Sequence, residues 1–135
     1  MKEIKLIHLQ WKILHNIFPT NIILKKIGLR QSEICDFCDE NDVVEHTFFR
    51  CKRLKSFWKN ISTRLINKLN KNITLNEVSI MLGVEQTHQE LNVEEKSLIN
   101  KISIIGKLSI IKNKINKTPI ELIFERELRL RKIEF

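Results

Sequence analysis

The sequence predicts a mostly α-helical fold, and three observations carry that prediction. Apolar residues recur at three- and four-residue steps along most of the 135 residues. Cap and breaker residues stand where such helices would begin and end. All three cysteines sit in one short polar stretch, Cys35 to Cys51, which separates the helical patterns.

Taken in order, Ile4, Ile7, Trp11, Leu14 and Phe18 share one face and predict an amphipathic helix over 3–17, ended by Pro19. Thr20 or Asn21 caps a short second helix through Ile27, with Gly28 suited to a left-handed C-terminal position. Residues 30–51 read as a knuckle-like loop. A third helix follows from Lys52 to Leu69, with Leu54, Phe57, Trp58, Ile61, Leu65 and Leu69 inside an arc of about 120°. Residues 76–82 suit one or two helical turns before Gly83. Asn92 and Glu95 have capping-box spacing and open a long helix to Lys114, whose apolar stripe reads Leu98, Ile102, Ile105, Leu108, Ile111 and Ile115. Gly106 either weakens that helix or admits a close neighbour. Thr118, Pro119 and Glu121 form a start signal for a last helix to Lys132. The expected organisation is a helical domain at 1–72, a linker at 73–91 and a C-terminal helical hairpin at 92–135.

The chemistry concentrates in Cys35-x2-Cys38-x7-His46-x4-Cys51. Zinc takes four nitrogen or sulfur ligands in a tetrahedron, and a Cys-x2-Cys pair bends to present two thiolates to one ion. The fold class expected is therefore a small helical domain built on a CCHC zinc knuckle, with one structural Zn2+ and Cys35, Cys38, His46 and Cys51 as its ligands. Asn41 and Asp42 suit a chain reversal between the two ligand pairs. His46 and Cys51 are five residues apart, about 140° around an α-helix, so the chain must change course between them. Three other readings compete: buried free cysteines beside an incidental histidine, a redox Cys35–Cys38 pair, and a catalytic zinc. The first is opposed by the clustering, the second by the missing strand–helix context, and the third by a closed set of four ligands.

Charge is segregated. The formal net charge is +8, yet residues 35–51 carry five acidic groups and one basic. Residues 52–72 carry seven basic groups and no acidic one. An acidic partner such as RNA or DNA is expected, gripped by Lys52, Arg53, Lys55, Lys59 and Arg64 rather than by the knuckle. Three thiolates and a neutral imidazole would leave the zinc centre itself with about one net negative charge, a poor place for phosphate. Phe48, Phe49, Phe57 and Trp58 are expected to pack rather than to stack on bases, and His8 and His15 to be exposed or locally satisfied.

No apolar stretch reaches the roughly 18–20 residues of a membrane span, and the N-terminus has no cleavage-site pattern. An intracellular place, nuclear or cytoplasmic, is expected, with no membrane partner and no small-molecule substrate. With three glycines, at 28, 83 and 106, no phosphate-cradling loop can be built, and the three aspartates all lie in the metal loop. No enzymatic activity is expected.

The run Trp11-x6-Phe18-Pro19-Thr20-x3-Leu24-x3-Gly28, then Cys-x2-Cys, then Glu45-His46-x-Phe48-Phe49-x-Cys51, then Trp58, resembles the reverse-transcriptase zinc-binding domain of LINE-type retrotransposon proteins. The resemblance covers about residues 8–70. It implies the same four metal ligands, a role in binding element RNA or target DNA during target-primed reverse transcription, and contact with other domains of a reverse transcriptase. The alternative function is a scaffolding module in which helices at 92–134 dock on a polymerase region.

Overall fold

A computed structural model describes residues 3–84 and 90–135. His88 and most of the polar loop expected at 84–92 lie outside them. Among the described residues six α-helices follow in order: α1 (Ile4–Leu14), α2 (Asn21–Lys26), α3 (Lys55–Leu69), α4 (Glu77–Leu82), α5 (Val93–Asn116) and α6 (Ile120–Leu130). A π-helical turn, His46–Arg50, and a 3-10 turn, Lys52–Leu54, lead into α3. Among the described residues there is no strand, only an isolated antiparallel bridge between Ile34 and Asn41.

The caps explain most boundaries. Thr20 accepts from Ile23 N–H at the start of α2, and Gly28 beyond its end sits at φ +84°. Reciprocal capping boxes open α4, through Asn76 and Ser79, and α5, through Asn92 and Glu95. α1 stops three residues short of expectation because Asn16 turns left-handed, φ 53°, before Pro19 is reached. The α6 start differs from expectation too. Pro119 occupies the cap position and Thr118 makes no side-chain cap.

Two apolar faces were misassigned from periodicity. α1 buries Leu6, Leu9 and Ile13, while Ile4, Ile7, Trp11 and Leu14 are each more than half exposed. Both sets obey helical spacing, and only the tertiary partners decide between them. α5 is not a one-sided arm but the central helix. Every residue from Ile102 to Ile110 except Ile104 is buried, whereas Ile115, at the end of the expected stripe, is exposed. α6 packs back along α5 as the expected hairpin.

One apolar cluster runs through the whole chain, from Leu6 through Phe48, Leu54 and Ile61 to Ile105 and Leu128. The segment 73–91 adds Ile73, Leu75, Ile80, Met81, Val84 and Leu91 to it. Gly106 shows the close contact its position allowed. A Cβ there would lie 2.9 Å from Trp58 Cη2, so the indole lies directly on the α5 backbone. Phe48, Phe57 and Trp58 are buried and Phe49 packs against them, as expected of core residues.

Candidate metal centre

The CxxC pair sits in the turn of a miniature hairpin. Cys35 N–H donates to Glu40 O (2.8 Å) and Asp42 N–H to Glu33 O (2.9 Å), closing the two arms. The reversal therefore falls between Cys35 and Glu40, not at Asn41–Asp42. Asp42 lies on the return arm with its carboxylate already committed. It accepts from Asn21 N–H (2.9 Å), Thr47 Oγ1 (2.6 Å) and Lys114 Nζ (2.7 Å). Burial opposes ionisation of this carboxyl, but the Lys114, Thr47 and Asn21 bonds outweigh it and hold the pKa below the ordinary value.

The second ligand pair comes from the π turn. Cys51 N–H donates to His46 O at 3.1 Å, an i to i+5 bond. A π turn has about 4.4 residues per turn, so residues five apart project within roughly 50° of one another. The wider turn does what an α-helix cannot, and both ligands face the hairpin before the chain breaks direction at Cys51 (ψ 129°). The turn is pinned from behind. Phe48 is fully buried and meets Phe18 edge-on at 5.1 Å, and Trp58 Nε1 donates to Phe48 O at 2.8 Å.

The four ligand atoms of Cys35, Cys38, His46 and Cys51 all lie within 4.8 Å of one another. Cys51 Sγ is 3.9 Å from both Cys35 Sγ and Cys38 Sγ, and Cys38 Sγ is 3.2 Å from His46 Nε2. A tetrahedron with Zn–S bonds of about 2.3 Å has S···S edges of about 3.8 Å, and its S···N edges are about 3.5 Å. The sulfurs match those edges and are far too distant for disulfides. The donor set fits one zinc ion. Phe37 N–H points at Cys35 Sγ (3.4 Å), and Cys38 N–H joins it, the arrangement that supports a thiolate in a CxxC turn. Burial pushes the Cys35 thiol up to about 12 despite those bonds, so the protein alone does not ionise it. A zinc ion held there would supply the missing positive charge and would crosslink the hairpin to the π turn. With four protein ligands no coordination position is left for water.

Two supporting residues had not been read from the sequence. Glu40 Oε2 lies 3.3 Å from His46 Nδ1, which fixes the ring so that Nε2 faces the sulfurs. Phe37, between the two cysteines, lies under Arg53 (3.9 Å to its ring centre) and Lys117 (4.6 Å). Arg53 continues to Asn113 Oδ1 at 2.8 Å, tying the knuckle to α5.

The expected nucleic-acid contacts divide into two groups. Arg53 and Arg64 are turned inward. Arg64 donates to Glu125 and to Phe135 O (2.6 Å), and its guanidinium covers the Phe135 ring. Lys52, Lys55 and Lys59 are exposed, with no side-chain partner among the described residues. His8 and His15 are exposed, and His15 Nδ1 donates to Trp11 O at 2.9 Å, so these histidines stand apart from the metal cluster.

Fold and site together define a small helical zinc-binding domain with a Cys3His cluster that could hold one zinc ion. Residues 1–58, which include all four ligands, match the protein family described as zinc-binding in reverse transcriptase. That segment is similar to the zinc-binding domains of that family. Neither the curated proteins nor the solved structures yield a match to the chain. Among the described residues no helix is long and apolar enough to cross a membrane.

Proposed function

We propose that the chain is an accessory module of a reverse transcriptase that binds RNA or DNA and does not itself polymerise. One observation carries this reading. Lys52, Lys55 and Lys59 line one exposed side of the segment that begins directly after the last metal ligand, and no carboxylate pairs with them among the described residues. The zinc crosslink fixes where that segment starts, so the three ammonium groups form a preset row suited to a phosphate backbone. The family match at residues 1–58 supports the setting. The confinement of all three aspartates to the metal loop supports the lack of polymerase chemistry.

The test is fluorescence anisotropy of the zinc-loaded protein with single-stranded RNA and with duplex DNA across a salt series. The triple variant K52Q/K55Q/K59Q should bind more weakly, with a log K against log salt slope shallower by about 2 to 3. Failure of the wild type to bind either probe at low salt would overturn the reading.

A second reading, docking on another domain of a reverse transcriptase, draws on α1 rather than on residues 92–134. Much of α5 is enclosed and α6 buries one face while exposing Leu122 and Leu130, whereas Ile4, Ile7, Trp11 and Leu14 form an outward apolar stripe on α1. Co-purification of separately expressed polymerase domain with wild type, lost on Trp11→Glu, would support it. A monodisperse monomer with no affinity for that domain would end it.

A further inference from the structure

Residues of α1, α4 and α5, with none of the three exposed lysines among them, line a groove of about 420 Å3. Its walls are aliphatic, from Leu6, Ile7, Leu82 and Ile104, and its floor is polar. Two α5 residues four apart, Ser103 and Lys107, share that floor. Ser103 is 3% exposed, and its hydroxyl finds no hydrogen-bond partner among the described residues. Lys107 is 2% exposed, and its ammonium donates only to neutral oxygens, Gln10 Oε1 and Ile80 O, both at 2.6 Å.

A buried ammonium without a counter-charge is costly, and so is a buried hydroxyl without a partner. Nearby charges do not relieve it. The other charged residues lining the groove are Lys96 and Lys101 on α5 and Glu3 ahead of α1. The Glu3 carboxylate is already held by Arg131 through two bonds of 2.8 and 2.6 Å. Among the described residues the groove lining thus carries a surplus of positive charge, and the Lys107 ammonium has a third proton free. Desolvation alone pushes the Lys107 pKa down to about 7, as expected of an uncompensated buried cation.

We propose that this groove binds a carboxylate carried on an apolar stem, with the Lys107 ammonium and Ser103 hydroxyl as donors and the aliphatic walls against the stem. The ligand carboxylate takes the place of Gln10 Oε1, the neutral acceptor that now covers the ammonium from α1. A single cation and one hydroxyl match a monoanion. A phosphate dianion would bring more charge and more acceptor oxygens than this floor can satisfy. The same chemistry is offered by a free medium-chain carboxylic acid or by a glutamate on an apolar peptide. The lysine row takes no part, so nucleic-acid binding and this site stand or fall separately.

The experiment titrates zinc-loaded full-length protein at pH 6.5 with octanoate, octanol, inorganic phosphate, and acetyl-Leu-Leu-Glu-Leu-Leu-amide beside its Gln counterpart. It reads calorimetry and amide shifts at Gln10, Gly83 and Ser103. Octanoate or the Glu peptide should bind at least tenfold more tightly than octanol or the Gln peptide, and the tighter of the two identifies the source. Lys107→Met should weaken binding at least tenfold. Gln10→Glu, which supplies the carboxylate within the chain at the cost of the Gln10 Nε2 bond to Met81 O (2.9 Å), should abolish binding. Leu82→Glu, at an exposed position on the rim, tests the groove without touching the core and should also weaken binding. Absence of binding by both carboxylates at millimolar concentration would overturn the proposal. So would equal binding of octanol and octanoate, unchanged binding by Lys107→Met and Leu82→Glu, or competition by inorganic phosphate.

Discussion

Asp42 is where the metal loop is joined to the rest of the fold, and its removal has a cost that the structure grades. Its side chain is about 1% exposed. Oδ2 accepts from Asn21 N–H and Lys114 Nζ, and Oδ1 from the Thr47 hydroxyl. Asp42→Ala strands a buried backbone N–H and a mostly buried ammonium, at about 1–3 kcal/mol each, while the Thr47 hydroxyl can rotate elsewhere. A loss of about 4 kcal/mol is expected, or roughly 10–15 °C in Tm for a chain of this size. Asp42→Asn is milder. Its amide can turn so that oxygen receives the Asn21 and Lys114 donors and NH2 faces the Thr47 oxygen, leaving only the charge to be lost, about 1–2 kcal/mol. Acid adds an independent check. The folded pKa is lowered, so this carboxylate's stabilisation is complete above its unfolded value of about 3.9 and disappears as pH falls through the folded value. The Asn variant should lack that part of the acid decline. Urea unfolding of zinc-loaded wild type, both variants and the pairings with Lys114→Met would measure all of this. Equal costs for Ala and Asn, or an Ala cost under about 1 kcal/mol, would refute the reasoning.

Metal analysis should find one zinc per chain, and Cys51→Ser should lose it together with about 10 °C or more in Tm; a metal-free wild type of unchanged stability would contradict the fit of the four ligands. Gly106→Ala should destabilise by about 1–2 kcal/mol, because overpacking against Trp58 outweighs the roughly 1 kcal/mol gained in helix propensity; chemical denaturation showing a net gain would mean that the indole moves aside. Lys107 is pushed down to about 7 when folded and returns to about 10.4 when unfolded, so the unfolded chain holds the extra proton between those values. Stability should therefore rise with pH across that window and stay level, with the full penalty present, below it. Lys107→Met should remove this contribution and be more stable than wild type at pH 6, as read from thermal melts against pH.

The local grammar was legible and the tertiary choices were not. Thr20, Gly28 and the Asn92–Glu95 pair are signals between neighbours along the chain, and each acts as its residue type dictates. The clustering of the four donors was legible for the same reason, since they fall within seventeen residues of sequence. What periodicity could not decide was which of two valid apolar stripes on α1 meets α4 and α5. Nor could it show that α5 would be enclosed on all sides, because a lysine and two serines interrupt its pattern. The arginines failed similarly. Arg53 and Arg64 look like the lysines around them, but their partners Asn113 and Glu125 lie 60 and 61 residues away. Geometry distinguishes the two cations after the fact. A planar guanidinium can stack on Phe37 or Phe135 while its edge bonds an oxygen, which an ammonium cannot do.

That division of labour bears on what the zinc ion does. The acidic hairpin is held to α5 by Asp42–Lys114 and to the Arg53–Asn113 brace through Phe37. These contacts use up basic groups near the knuckle and leave the outward lysines of the following segment unpaired. The ion closes the remaining gap, between the hairpin and the π turn, where the protein offers sulfur and nitrogen but no hydrophobic filling. Loss of the metal should therefore loosen the hairpin first, and α5 only as far as Asp42 and Arg53 lose their footing. The row at Lys52, Lys55 and Lys59 starts one residue after a ligand, so its geometry depends on the ion although none of its side chains touches the site. Zinc removal should thus weaken nucleic-acid binding through position rather than charge, leaving the salt dependence of the residual binding steep while its affinity falls.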